Sequence, residues 1–140
     1  MARTRVETRA RARALQALYA WDMRGDPGNL EKVATQVWDD MAITAEERGV
    51  AAPIVRIVAH RQRELDTQLA DVTTNWRMER IGAIERCVLR MAAAELTIGV
   101  TPPKVIIQES VTLAERYGSA ASAKFVNGVL DALARRMGRM

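Results

Sequence analysis

Apolar positions along this chain recur at helical spacing, and no stretch alternates cleanly as a half-buried strand would. Residues 4–24 read as a first helix, with Ala10, Ala14, Ala17, Leu18 and Trp21 on the face that docks on a core, and Gly25-Asp-Pro-Gly28 ends it. Leu30, Val33, Ala34, Val37, Trp38 and Met41 then repeat at i, i+3, i+4, i+7, which predicts a second core-facing helix. Thr44-Ala-Glu-Glu47 reads as a capping box opening a third helix, striped by Val50, Ile54, Ile57, Val58, Leu65 and Leu69. Pro53 falls in its early part, where a missing N–H does least harm. Trp76 and Met78 belong to a connector or short helix. Ile84 to Ile98 is strongly apolar and predicts a central helix, and Thr101-Pro-Pro103 stops it and starts the next. Gly118 suits a left-handed cap, and Ser119 or Ser122 can cap the final helix. The fold class is all-α, without internal repeat or low-complexity linker.

Length sets the scale: 140 residues make about one domain, spanning 1–140, with enough chain to bury a single core. No uncharged apolar run approaches the ~18 residues of a membrane span, and no secretory h-region follows the N-terminus. Cys87 is the only cysteine, which excludes an intrachain disulfide and suits a reducing compartment. The expected location is the cytoplasm. Net charge is +4, and it is unevenly placed. Arg3, Arg5, Arg9, Arg11 and Arg13 face Glu7 alone in the first 13 residues, which accounts for the whole excess.

At about 100° per residue, Arg5, Arg9 and Arg13 form one stripe roughly 80° wide, off the docking face. Such a stripe is either a solvated helix face or a contact for phosphates and bases, to which arginine's flat multi-donor head is suited. Lys124 and Phe125 pose the same choice. Phe125, the chain's only phenylalanine, is either core or a platform on which a base stacks, with Lys124 solvated or holding the next phosphate. Gly128 costs about 1 kcal/mol against alanine inside a helix, and Asn127 and Lys124 add little packing. A helix start built this way points to a partner. Trp38 and Trp76 fit a core or an interface equally.

Catalytic chemistry finds little support. There is no G-x-x-x-x-G-K phosphate loop, no G-x-S-x-G elbow and no H-E-x-x-H. One histidine, His60, and one cysteine cannot assemble a His/Cys zinc set. His60 reads as a surface or boundary residue and Cys87 as a buried, inert thiol. Asp39-Asp40 and Glu46-Glu47 are adjacent on helix ends and so point apart, which suits capping and solubility. No catalytic residue, metal or cofactor is expected.

Three blocks carry a resemblance: Ala14-Leu-Gln-Ala-Leu-Tyr-Ala-Trp21, Val88-Leu-Arg-Met-Ala-Ala-Ala-Glu-Leu96, and Lys104 to Gly118 followed by Ser122-Ala-Lys-Phe-Val-Asn-Gly-Val-Leu130. In this order and over nearly the whole length they resemble the NusB family of transcription antitermination factors. The chain departs from the family pattern at Gln108, Ser110 and Thr112, at Ala94, and at Glu7-Thr8, which interrupts the basic block. The resemblance implies a single-domain helical bundle of about seven helices that pairs with NusE, a ribosomal small-subunit protein. Together they would bind boxA-type single-stranded RNA and keep the RNA polymerase antitermination complex processive on ribosomal-RNA operons. It places Lys124, Phe125, Arg9 and Arg11 on the RNA surface, to which the basic N-terminal segment adds Arg3, Arg5 and Arg13. It places Tyr19 and Glu85 on the NusE surface. Self-association as a homodimer is also compatible with the sequence.

Four other readings compete. A double-stranded DNA reader would need a helix-turn-helix partner for the arginine helix, and none is recognisable. A helical domain of an RNA methyltransferase would need a cofactor fold, and these residues hold no G-x-G-x-x-G. A helical RNA-binding module in ribosomal-RNA maturation would share the RNA surface. A protein-only scaffold or dimerisation module predicts no RNA binding at all.

Overall fold

A computed structural model describes residues 5–25, 28–73 and 81–140, so Arg3, Trp76 and Met78 lie outside the described residues. Six helices follow one another: α1 (Arg5–Arg24), α2 (Leu30–Met41), α3 (Ala45–Asp71), α4 (Ala83–Ile98), α5 (Pro103–Tyr117) and α6 (Ala120–Arg136). Among the described residues there is no strand. The helix α3 loses helical geometry at Arg61 (φ −128°, ψ 24°) and is therefore two segments end to end. Among the described residues there are thus six helices, one of them broken at Arg61, where about seven were expected. No helix among the described residues is long and apolar enough to cross a membrane.

The axis of the bundle is α4. Every residue from Cys87 to Leu96 is buried, and α4 packs against α1, α3, α5 and α6. A helix covered on all sides needs apolar residues all round, and the two charges within this span, Arg90 and Glu95, are both paired to neighbouring helices. Leu89, Met91 and Leu96 are buried almost completely, each contributing about 1.5–3 kcal/mol. Around α4, the predicted stripes of α2 and α3 turn inward through Leu30, Val33, Trp38, Ile54, Val58, Leu65 and Leu69. Trp38 is a core residue, its indole N–H donating to the Arg13 carbonyl at 3.0 Å. Met41, at the last position of α2, lies outside the core and is exposed.

Several helix ends differ from the sequence expectation. Gly99 stops α4, in the left-handed region (φ 78°) with its N–H on the Glu95 carbonyl, so Thr101-Pro-Pro103 only starts α5. Gly118 is not left-handed (φ −118°); glycine is needed there for closeness. A Cβ at Gly118 would lie 2.7 Å from the Ala114 carbonyl oxygen and 2.8 Å from Ser122 Oγ. Ser119 is the cap of α6, its hydroxyl accepting from the Ser122 N–H at 3.1 Å. Only half the capping box of α3 forms: Thr44 Oγ1 accepts from the Glu47 N–H, while the Glu47 carboxylate turns to α1 instead. Pro53 sits past the first turn, so the Gly49 carbonyl has no N–H donor four residues on.

Cys87 is buried, and burial pushes its thiol up to about 12 from 9.0, with the Asp22 charge adding to the effect. The proton is held more tightly in the folded state, so stability should fall as pH rises from about 9 toward 12. At pH 8 a thiol reagent is expected to label Cys87 only as fast as the fold opens, and at once above the unfolding midpoint in denaturant. Rapid labelling of native protein would show the thiol to be accessible.

Candidate nucleic-acid interface

The arginine stripe of α1 exists, but its members differ. Arg5 and Arg9 are exposed. Arg13 is partly covered, its Nε 3.2 Å from Glu47 Oε1 and its Nη1 3.3 Å from Gln16 Oε1. Glu47 is buried beneath the stripe and also reaches Arg9 at 4.0 Å. One acid of α3 thus anchors the stripe and offsets part of its charge.

Arg11 is on the opposite side of α1 and is only 3% exposed. Its guanidinium grips Glu95 of α4 with two bonds, Nε to Oε1 at 2.7 Å and Nη2 to Oε2 at 2.9 Å. Nη1 reaches Glu109 Oε1 of α5 at 3.2 Å, and Thr8 Oγ1 donates to the same oxygen at 2.8 Å. Burial pulls the Arg11 pKa down, but the bond and charge of Glu95, then the charge of Glu109, leave it above its ordinary value. Its donors are committed inside the protein. Arg11 therefore pins α1 to α4 and α5, whereas the resemblance had placed it on the RNA surface. Its angular position already says so: 200° from Arg9, it shares a face with Leu15 and Leu18.

At the other end of α5 the chain turns through Gly118 and Ser119 into α6. Lys124 and Phe125 are both exposed there, whereas Val126, Val129, Leu130 and Leu133 are buried. Nothing lies within 4 Å of a Cβ placed at Gly128, so packing within the chain does not demand a glycine at that position. Glu85, in the first turn of α4, accepts a hydrogen bond from the Ser122 hydroxyl. Glu85, Ser122 and Phe125 line one open cavity of about 390 Å³ with Ile81, Gly82 and Ser119. The expected partner residue Glu85 and the expected RNA residue Phe125 are thus neighbours at one corner.

Tyr19 is exposed on α1. One turn before it, Gln16 Nε2 is 3.5 Å from Tyr117 Oη of α5. One turn after it, Asp22 takes two bonds from Arg86 of α4. Tyr19 is therefore carried toward the same end of the bundle by contacts on both sides. Arg90 extends this clasp, pairing with Asp66 of α3 at 2.9 Å and reaching Asp22 at 3.5 Å. His60 is on the surface with Nε2 2.9 Å from Glu31 Oε1. Among the described residues no cluster of His, Cys, Asp and Glu could hold a metal.

Sequence reasoning missed the pairings that Glu95, Glu109, Thr8 and Ser122 make across helices. The signal was available for Glu95, which interrupts an apolar run in its helix, since a buried charge needs a partner; Glu109, between Gln108 and Ser110, carried no such mark.

Comparisons with known proteins place the chain as a whole. The NusB family model matches residues 8–135. The transcription antitermination protein NusB of Anaeromyxobacter dehalogenans (strain 2CP-1) is 41% identical over 128 residues, covering 91% of this chain and 89% of that protein. Its counterpart in Solibacter usitatus is 38% identical over 133 residues, covering 92% and 88%. Among solved structures, NusB of T. maritima superposes with a TM-score of 0.82 at 28% identity, covering 96% of this chain and 93% of that one. A chain from the crystal structure of antitermination factors NusB and NusE in complex with dsRNA superposes at 0.86 and 28%, covering 96% and 99%. With one family model spanning nearly all of α1 to α6, and relatives of this identity covering nine-tenths of the chain, the protein belongs to the NusB family.

Proposed function

We propose that this protein is a transcription antitermination factor that binds boxA-type single-stranded RNA together with NusE, and so supports processive transcription of ribosomal-RNA operons by RNA polymerase. The observation that carries this reading is the exposure of Phe125 beside Lys124 on a helix whose other large apolar residues are buried. A ring of that size left 38% exposed at a helix start is suited to stacking on a base. Arg5 and Arg9 supply the phosphate contacts. Tyr19 and Glu85 serve the protein partner, with the Ser122 hydroxyl holding Glu85 in place until the partner arrives. Each surface is weak alone, and joining them raises affinity without catalysis.

The test is binding of a labelled boxA-type RNA, with and without NusE, across a salt series, with a scrambled strand and an RNA duplex as competitors. NusE should tighten binding, and log K should fall with log salt at roughly −0.7 per phosphate neutralised. Phe125→Ala should weaken binding about fivefold or more, the loss of one stacked base. No binding above the scrambled strand in either condition overturns the reading, and preference for the duplex overturns its single-stranded part.

A further inference from the structure

We infer that the groove between α1 and α5 is a further RNA contact, in which Arg116 takes a phosphate and Tyr117 an unstacked base. The inference rests on the RNA-binding reading above. The groove has a volume of about 350 Å³ and is lined by Arg9, Arg13, Gln16, Thr112, Arg116 and Tyr117 among others. That is within the range of small-ligand pockets, about 300–1,000 Å³, and suits one splayed nucleotide.

The charges in the groove are not equivalent. Arg9 and Arg13 share Glu47, and Arg11 is committed to Glu95 and Glu109. Arg116 is exposed and, among the described residues, has no carboxylate partner. Its guanidinium lies instead 5.3 Å from the centroid of the Tyr117 ring. A cation held beside an aromatic face, with an amide at hand, is the combination that single-stranded nucleic acid uses: phosphate on the cation, base on the ring, base edge on the amide. The amide is Gln16, whose Oε1 accepts from Arg13 and whose Nε2 lies near the Tyr117 hydroxyl.

Position gives the second argument. Arg9 stands at one end of the groove, and at the other Tyr117 is followed directly by Gly118 and Ser119, the corner that starts α6. The groove therefore joins the exposed arginines of α1 to the Lys124–Phe125 corner. A strand held at both ends passes along it. Neither Arg116 nor Tyr117 stands out in the sequence, because each reads as an ordinary last-turn residue of α5.

The test uses the full chain with NusE and the same labelled RNA across a salt series. Arg116→Ala should weaken binding about fivefold near 0.1 M salt and flatten the log–log slope by about 0.7. Arg116→Lys should recover most of the loss. Arg63→Ala removes the same charge from an exposed position of α3 outside the groove and should leave affinity and slope unchanged. Tyr117→Phe should bind RNA nearly as wild type and Tyr117→Leu several-fold more weakly, with thermal melts confirming that both are folded. If wild type binds and Phe125→Ala weakens it, while Arg116→Ala matches Arg63→Ala, the groove assignment is overturned and the proposed function stands. If wild type does not bind RNA, both fall.

Discussion

Arg11→Ala is expected to remove about 3–5 kcal/mol of folding stability, a large part of the 5–15 kcal/mol that holds a domain of ordinary stability together. The size follows from what the substitution leaves behind. Glu95 and Glu109 are 7% and 6% exposed, and Arg11 is the cation they share. Removing it takes the shared guanidinium from two largely buried carboxylates, so Glu95 loses its two-bond partner and Glu109 one of its partners. Arg11→Lys should recover only part of the loss, because a single ammonium cannot reproduce the two-bond fork on Glu95. The check is chemical denaturation of the three proteins. A midpoint for Arg11→Ala indistinguishable from wild type would mean that Arg11 is not the internal pin described here.

The same network allows a cleaner separation of roles. In the triple variant Arg11→Met, Glu95→Leu, Glu109→Leu the charges leave together, and buried ion clusters replaced in this way often give proteins as stable as the parent. If Arg11 acts only by fixing α1, this variant should keep its RNA affinity and salt slope. A folded triple variant whose slope drops by about 0.7 would instead show Arg11 meeting a phosphate directly.

Arg11 also marks how far the sequence could be read. Helical periodicity placed α1, α2 and α4 nearly to the residue, because each buries a stripe or a whole surface that repeats at 3.6. The same periodicity, applied to the arginines singly, separates Arg9 from Arg11 by 200°, but the family resemblance grouped them by adjacency in the chain. What pattern alone could not give was pairing across helices. Glu47 looked like the fourth member of a capping box, and only the approach of α1 turns it toward Arg13. Ser122 looked like a rival cap for α6, yet it is the donor to Glu85 on α4. The break of α3 at Arg61 had no proline or glycine at the site to announce it, since Pro53 lies further upstream. In each case the deciding group is far away in sequence and has no local signature.

Gly118→Ala is expected to lower stability by about 1–3 kcal/mol, the usual cost of forcing an extra carbon into a packed site. The added carbon would be 2.7 Å from the Ala114 carbonyl oxygen, which is backbone and already accepts the Gly118 N–H at 2.9 Å. It would also be 2.8 Å from Ser122 Oγ, so relief requires the start of α6 to move away from the end of α5. That movement takes the Ser122 hydroxyl off Glu85 and displaces Phe125 three residues on. Ser122→Ala is the comparison that separates the two effects. It removes the hydrogen bond without moving backbone, and should cost about 1 kcal/mol while leaving RNA affinity measured without NusE near wild type. Gly118→Ala should cost more stability than that and, if Lys124 and Phe125 meet RNA as proposed, should also weaken RNA binding, because both shift with the helix. Thermal melts and RNA titrations of the two variants decide it. If Gly118→Ala melts with wild type, the corner has room that the distances deny, and the positioning of Phe125 must depend on something other than this close approach.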